Sequence, residues 1–152
     1  MDSAKYEMNE CELKAKLLSE LSSKKLPGKT DVTVEPFQKI YTLERISIGI
    51  YYIYLKINCP EKKPILSIFA PFNGLSFFYH DFEKTIDVVG VDIEKNLRKK
   101  GYGRMLVETM ENFGRDLGCR SVDVKFSMND SFWKHMGYAN KGKTIFLEKR
   151  LE

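Results

Sequence analysis

Between residues 98 and 104 the chain reads Arg98-Lys99-Lys100-Gly101-Tyr102-Gly103-Arg104. Four cations surround two glycines. Glycine removes the side chains that would keep an anion away from backbone N–H groups, and Arg and Lys offer charge-assisted hydrogen bonds. If such a turn opens a helix, the first-turn N–H groups and the positive end of the helix dipole converge on one point. The chemistry favoured there is the binding of a phosphate or pyrophosphate group.

The flanking residues supply the elements that such a turn needs. Asp87 to Ile93 reads DVVGVDI, an apolar and β-branched strand. By the two-residue period Val89, Val91 and Ile93 share one face, with Asp87 at its start. Gly90 interrupts that run, which marks a bulge or a close approach to the backbone. After the turn, Leu106, Met110, Phe113 and Leu117 recur at helical spacing and would anchor a helix on the sheet. A fixed helix end holds an anion better than a loose basic loop.

Two nucleotide motifs fail on the residues. A Walker P-loop ends in G-K-[ST], whereas Gly103 is followed by Arg104-Met105. A dinucleotide fingerprint needs a third glycine where Leu106 stands. A merely solvated basic run would not explain paired glycines between a strand and an amphipathic helix.

Elsewhere the composition sets bounds. The 152 residues suit one domain with its own core; 43% are hydrophobic and 30% charged, as in a soluble globular chain. A net charge of +4 permits an anionic ligand without demanding nucleic acid. RNA or DNA is further disfavoured because no aromatic stacking platform is interleaved with the basic turn. Cys11, Cys59 and Cys119 are odd in number and have no C-x-x-C pair, which argues against a disulfide framework and a zinc site. No metal is expected. His80 and His135 lack ligand spacing and read as surface or packing residues. There is no signal pattern at the N-terminus and no run of transmembrane length, so the expectation is a cytoplasmic protein away from the membrane.

In chain order, residues 9–25 read as an amphipathic helix ended by Leu26-Pro27-Gly28-Lys29. Ile46 to Ile57 is apolar at nearly every position, the pattern of a strand covered on both faces. Asn73-Gly74 predicts a hairpin turn between ILSIFA (65–70) and LSFFYH (75–80), followed by a loop over 81–84. Ser121 to Phe126 alternates as a strand, Asp130 to Met136 is a short helical turn closed by Gly137, and 138–140 with 144–151 form a hairpin. The fold class is α/β with a mixed sheet in one domain, 1–152: a helical region over 1–30, a core over 87–138, and a hairpin over 138–152.

Three of these motifs together resemble the GNAT N-acetyltransferase superfamily. Arg98 to Gly103 matches its [RQ]-x-x-G-x-[GA] turn at every fixed position, Val91-Asp92-Ile93 matches the preceding V-x-[IV], and Phe132-Trp133-Lys134-His135-Met136-Gly137-Tyr138 is similar to its aromatic-aromatic-x-x-x-G-[FY] segment. The resemblance implies a central mixed sheet flanked by helices, with two splayed parallel strands forming a coenzyme A cleft. It implies that the amides around Lys99, Lys100, Gly101, Tyr102, Gly103 and Arg104 cradle the pyrophosphate of acetyl-coenzyme A, with Arg98 beside them. Val91, Asp92 and Ile93 would offer backbone groups to the pantetheine arm, and Asn129 and Trp133 would complete the coenzyme-binding set. A bulge at Gly90 would open the cleft and turn an N–H toward the thioester carbonyl.

For catalysis, the resemblance implies a carboxylate early on the strand, at Asp87, as the group that takes the proton of an amine acceptor. Such a carboxylate needs burial to raise its pKa, or a water relay. The family often has tyrosine where Trp133 stands, and indole is no practical acid, so Tyr138, Tyr102 or solvent would protonate the leaving thiolate. The expected activity is direct transfer of an acetyl group from acetyl-coenzyme A, as cosubstrate, to a primary amine. The alternative is a coenzyme-binding or regulatory module on the same fold. The exposed final strands could pair two subunits in a homodimer.

Overall fold

Apolar residues at every second position decide how the sheet is buried. The structure, a computed structural model, describes residues 10–27, 29–36, 49–58, 73–93, 97–125 and 127–151. Helix α1 spans Glu10–Ser22 and buries Leu13, Leu17 and Leu21, one residue per turn. Strand β1 (Lys29–Pro36) follows, then β2 (Ile50–Asn58), β3 (Gly74–His80) and β4 (Thr85–Asp92). Helix α2 (Tyr102–Asp116) leads to β5 (Ser121–Val124), α3 (Asp130–His135), β6 (Ala139–Asn140) and β7 (Leu147–Arg150).

The strands form one seven-stranded sheet in the order β1-β2-β3-β4-β5-β7-β6. Every neighbouring pair is antiparallel except β4 and β5. Parallel neighbours need a crossover, and α2 supplies it. Helix α1 packs on β1 and α2, while α2 packs on β3 and β4. The core lies between these helices and the sheet, with Phe77, Tyr79, Ile86, Met110 and Phe113 inside it. The class is α/β with a mixed sheet, as the sequence predicts.

Strand β4 carries the feature that shapes the site. Phe77 pairs with Val88 and Ser76 with Gly90, so Val89 is an extra residue, a β-bulge. The bulge reverses the face parity. Ile86 and Val88 are buried before it, Val91 and Ile93 pack on the core after it, and Val89 is exposed. The expectation that Asp87 and Val89 share a face with Val91 and Ile93 is thereby corrected: a two-residue period does not survive an inserted residue. Pairing of β4 with β5 ends at Val88 and Val124, although β4 continues to Asp92. From there the parallel strands part.

Two other expectations concern β3 and β2. LSFFYH pairs with β2 on one side and, through the 81–84 loop, forms its hairpin with β4 on the other; ILSIFA, its expected hairpin partner, lies outside the described residues. In β2, Tyr51, Ile53, Leu55 and Ile57 are buried while Tyr52 and Tyr54 are half-buried, so one face is fully covered rather than two.

Candidate active site

The turn into α2 is built by two left-handed residues. Lys99 has φ 63 and Gly101 φ 82, a region that glycine enters without steric cost and other residues seldom do. No side chain caps the helix at Gly101. The first-turn N–H groups therefore have no side-chain acceptor, the arrangement that favours an anion. A Cβ at Gly101 would meet nothing within 4 Å, so the turn faces open space. At Gly103 a Cβ would lie 3.4 Å from Phe132 Cε1 and 3.7 Å from Ile93 Cγ1. Gly103 thus lets α2 close on both.

A cavity of about 610 Å³ opens at this point. Its walls are Val91, Asp92 and Ile93 from β4, then Leu97, Arg98, Lys99, Gly101, Tyr102, Gly103 and Arg104, with Met128, Asn129 and Phe132 opposite. Ten of the predicted residues meet here, from three separate segments. Lys100 is exposed beside the cavity but not in its wall. Sequence reasoning missed Leu97, Met128 and Phe132. Phe132 had a signal, being the first aromatic of its motif; Met128 had none.

The cations divide by role. Arg98 Nε donates to Ile93 O at 2.7 Å and its guanidinium lies 3.6 Å from Asp92 Oδ1, so it ties the turn to the end of β4. Arg104 lies 3.5 Å from Glu108, one helical turn on. Lys99 and Lys100 make no ion pair with a described residue and are exposed, which leaves them available for an anion. Asn129 caps α3, its Oδ1 accepting from Phe132 N at 3.2 Å. That cap sets the side of the cavity on which Phe132 stands.

Trp133 and Tyr138 are not brought to the cavity. Trp133 is buried and meets Phe132 and Tyr138 edge-on, with ring centroids 5.2 and 5.0 Å away. The Tyr138 hydroxyl donates to Glu111 Oε2 at 2.8 Å, and Lys149 Nζ lies 3.1 Å from the other oxygen of that buried carboxylate. Burial, with the negative charge and hydrogen bond of Glu111, pushes the phenol far above its ordinary range. These groups are core cement, joining α2, α3 and β7. Their aromatic motif places Phe132, rather than Trp133, against the turn into α2.

Asp87 lies outside the cavity wall, about four residues back along β4 from Val91, or roughly 13 Å at about 3.3 Å per residue. It is half-buried, and its Oδ2 lies 2.9 Å from His80 Nε2 and 3.8 Å from Lys125 Nζ. Burial alone would raise its pKa. The hydrogen bond and charge of His80, with the charges of Lys125 and Lys141, outweigh that and hold the carboxyl below its ordinary range. The expected burial is present, but its effect is reversed by the cations around it. His80, read from the sequence as a surface or packing residue, was the missed partner. Only the pairing of β3 with β4 brings the two together.

Among known proteins, residues 69–138 match the model of the Acetyltransferase (GNAT) family. The chain is similar in structure to an acetyltransferase from Bacillus cereus, with a TM-score of 0.52 and 21% identity over 75% of this chain and 83% of that one. It is also similar to a GNAT family N-acetyltransferase from Escherichia coli in complex with CoA, with a TM-score of 0.50 and 12% identity over 85% of both chains. No curated protein sequence matches. At such identities the structural likenesses establish the fold. Residues 69–138 thus carry the sequence pattern of the GNAT family, and the described residues share the fold of these acetyltransferases.

Proposed function

We propose that the protein transfers an acetyl group directly from acetyl-coenzyme A to a primary amine. The observation that carries this is a continuity of open backbone. Beyond Val88 the edge of β4 has no β5 partner, and that edge runs into the cavity whose floor is the uncapped start of α2. An extended arm with amide groups suits the first part, and a pyrophosphate suits the second. The coenzyme A held by the similar Escherichia coli protein supports the same ligand class. Lys99 and Lys100 supply charge beside the phosphate site, and Met128 and Phe132 supply apolar wall.

The chemistry follows from the residues within reach. An amine attacks the thioester carbon, and a backbone N–H at the bulge is the donor for the oxyanion, an effect worth about 3–4 kcal/mol in other enzymes. Asp87 accepts the amine proton, directly or through water. Tyr138 is spent on Glu111, so Tyr102 or water protonates the departing sulfur. A thiol ionises near about 8.5, so a thiolate leaves without a strong acid, and the absence of a cavity tyrosine in the Trp133 position costs little. That absence is the one feature favouring the second reading, a coenzyme-binding module without turnover.

Thermal unfolding with acetyl-coenzyme A, free coenzyme A, ATP and RNA separates these readings from nucleic-acid binding. At a hundred times Kd a ligand stabilises by about 2.7 kcal/mol. Both coenzymes should raise Tm and RNA should not; a shift with RNA alone would overturn the proposal. Free-thiol release across small amines, polyamines and lysine peptides then tells enzyme from module.

A further inference from the structure

His80 and Asp87 are brought side by side by strand register alone. His80 faces Thr85 and Asp87 faces Phe78, so the two stand diagonally on one face of the β3–β4 pair. The contact is His80 Nε2 to Asp87 Oδ2, at 2.9 Å. A carboxylate held ionised only accepts, so the chemistry of the pair assigns the proton to Nε2. The other ring nitrogen, Nδ1, is buried without a partner. A buried polar atom is ordinarily satisfied, so the ring is committed to one bond, and that bond is aimed at Asp87.

The other contact of Asp87 is equally one-sided. Lys125 Nζ, 3.8 Å away, also approaches Oδ2. The remaining oxygen, Oδ1, has no bond to a described group. Four groups face the carboxylate: His80 from β3, Lys125 just after β5, Asp123 paired opposite it on β5, and Lys141, whose Nζ lies 3.2 Å from Asp123.

We propose that His80 is a positioning residue for the acetyl transfer: its Nε2–H holds Asp87 by Oδ2 and turns Oδ1 toward the acceptor amine. The inference rests on the acetyltransferase reading above. In the step it serves, the nitrogen lone pair forms the C–N bond at the thioester carbon. The N–H proton so made acidic passes to Asp87 Oδ1. The C–S bond breaks with its electron pair on sulfur, the thiolate takes a proton from Tyr102 or water, and Asp87 returns its proton to solvent, giving amide and free thiol.

The test uses His80→Ala and His80→Gln in the full chain. Glutamine keeps an N–H donor near the place of Nε2 but has no ring to titrate. By analogy with the 10- to 100-fold cost of removing a partner that orients a metal ligand, His80→Ala should lose about that much kcat, with unchanged thermal stabilisation by acetyl-coenzyme A. Its acid limb should move to higher pH, because the partner that lowers the carboxyl pKa is gone while burial remains. His80→Gln should regain most of the turnover. Wild-type kcat in His80→Ala, or a glutamine variant as impaired as the alanine one, would overturn the proposal. A second readout stands apart from activity: the carboxyl carbon of Asp87, followed by NMR against pH in the free protein, should titrate higher in His80→Ala. An unmoved titration refutes the coupling whatever the reaction is. A native chain that acetyl-coenzyme A fails to stabilise would instead break the transferase reading.

Discussion

At the scale of the residue, the site divides into a part made of backbone and a part made of side chains. The anion-binding turn is the first kind. Gly101 lies at φ 82 with open space where a side chain would project, so a substitution there obstructs a ligand more than it disturbs the fold. Gly101→Glu should lose acetyl-coenzyme A binding. A carboxylate 4 Å from a phosphate charge costs about 4 kcal/mol at an effective dielectric of 20, or about a thousandfold in Kd. Isothermal titration checks this, with Gly101→Ala as the control that carries the backbone strain alone. Asp87 is the second kind. Asp87→Asn should lower kcat by about 10²- to 10⁴-fold, the range of general acid–base catalysis, while Kd for the coenzyme stays put. Equal activity in that variant removes Asp87 from the mechanism.

At the scale of the element, β4 does two jobs with one insertion. Val89 bulges out, and this moves Val91 and Ile93 onto the core face while the strand separates from β5. Deleting Val89 would remove the bulge yet keep Gly90 opposite Ser76 and Val91 opposite Leu75, so Val91 and Ile93 would stay on the core face. The deletion should therefore leave the urea midpoint close to that of the native chain while weakening stabilisation by acetyl-coenzyme A, because only the shape of the β4 edge at the cleft is lost. Helix α2 is held at its far side by a polar knot, Glu111 with Tyr138, Lys149 and Arg115. Removing one member of a buried ion pair strands the other, at about 3–5 kcal/mol. Glu111→Ala should therefore lower Tm by on the order of 10 °C. Glu111→Gln should cost less, since it still accepts from Tyr138.

At the scale of the whole molecule, the titrating groups set the pH limits of stability. Tyr138 and Tyr79 are both raised well above the ordinary phenol value, chiefly by burial, with Glu111 and Asp81 adding to it. A folded pKa above the unfolded one means that the native state holds its proton longer. The stability this carries is complete below about pH 10 and falls as pH rises further. Thermal scans from pH 8 to 11.5 should show a steep alkaline loss of Tm, shallower in Tyr138→Phe. On the acid side Asp87 is depressed, so its contribution is present above about pH 4 and fades as pH drops through its folded value.

What could be read from the chain alone was local. The basic, glycine-spaced turn, the helix after it and the strand before it depend on contacts a few residues apart, and all three stand where periodicity and turn chemistry put them. Gly90 even announced the bulge. Its consequence stayed hidden, because a bulge is defined against a partner strand: only opposite Ser76 and Phe77 does Val89 become the extra residue. The same holds for the aromatic motif, where packing and not spacing decided that Phe132 reaches the cavity while Trp133 and Tyr138 fill the core. It holds most of all for the chemistry around Asp87. His80 had no spacing that marked it, and a lone histidine carries no signal in one dimension. Strand pairing placed it 2.9 Å from the carboxylate. The basic, glycine-spaced turn belonged to the sequence, then, because backbone geometry is local; the His80–Asp87 pair belonged to the tertiary structure, because a pKa is set by neighbours that only folding supplies.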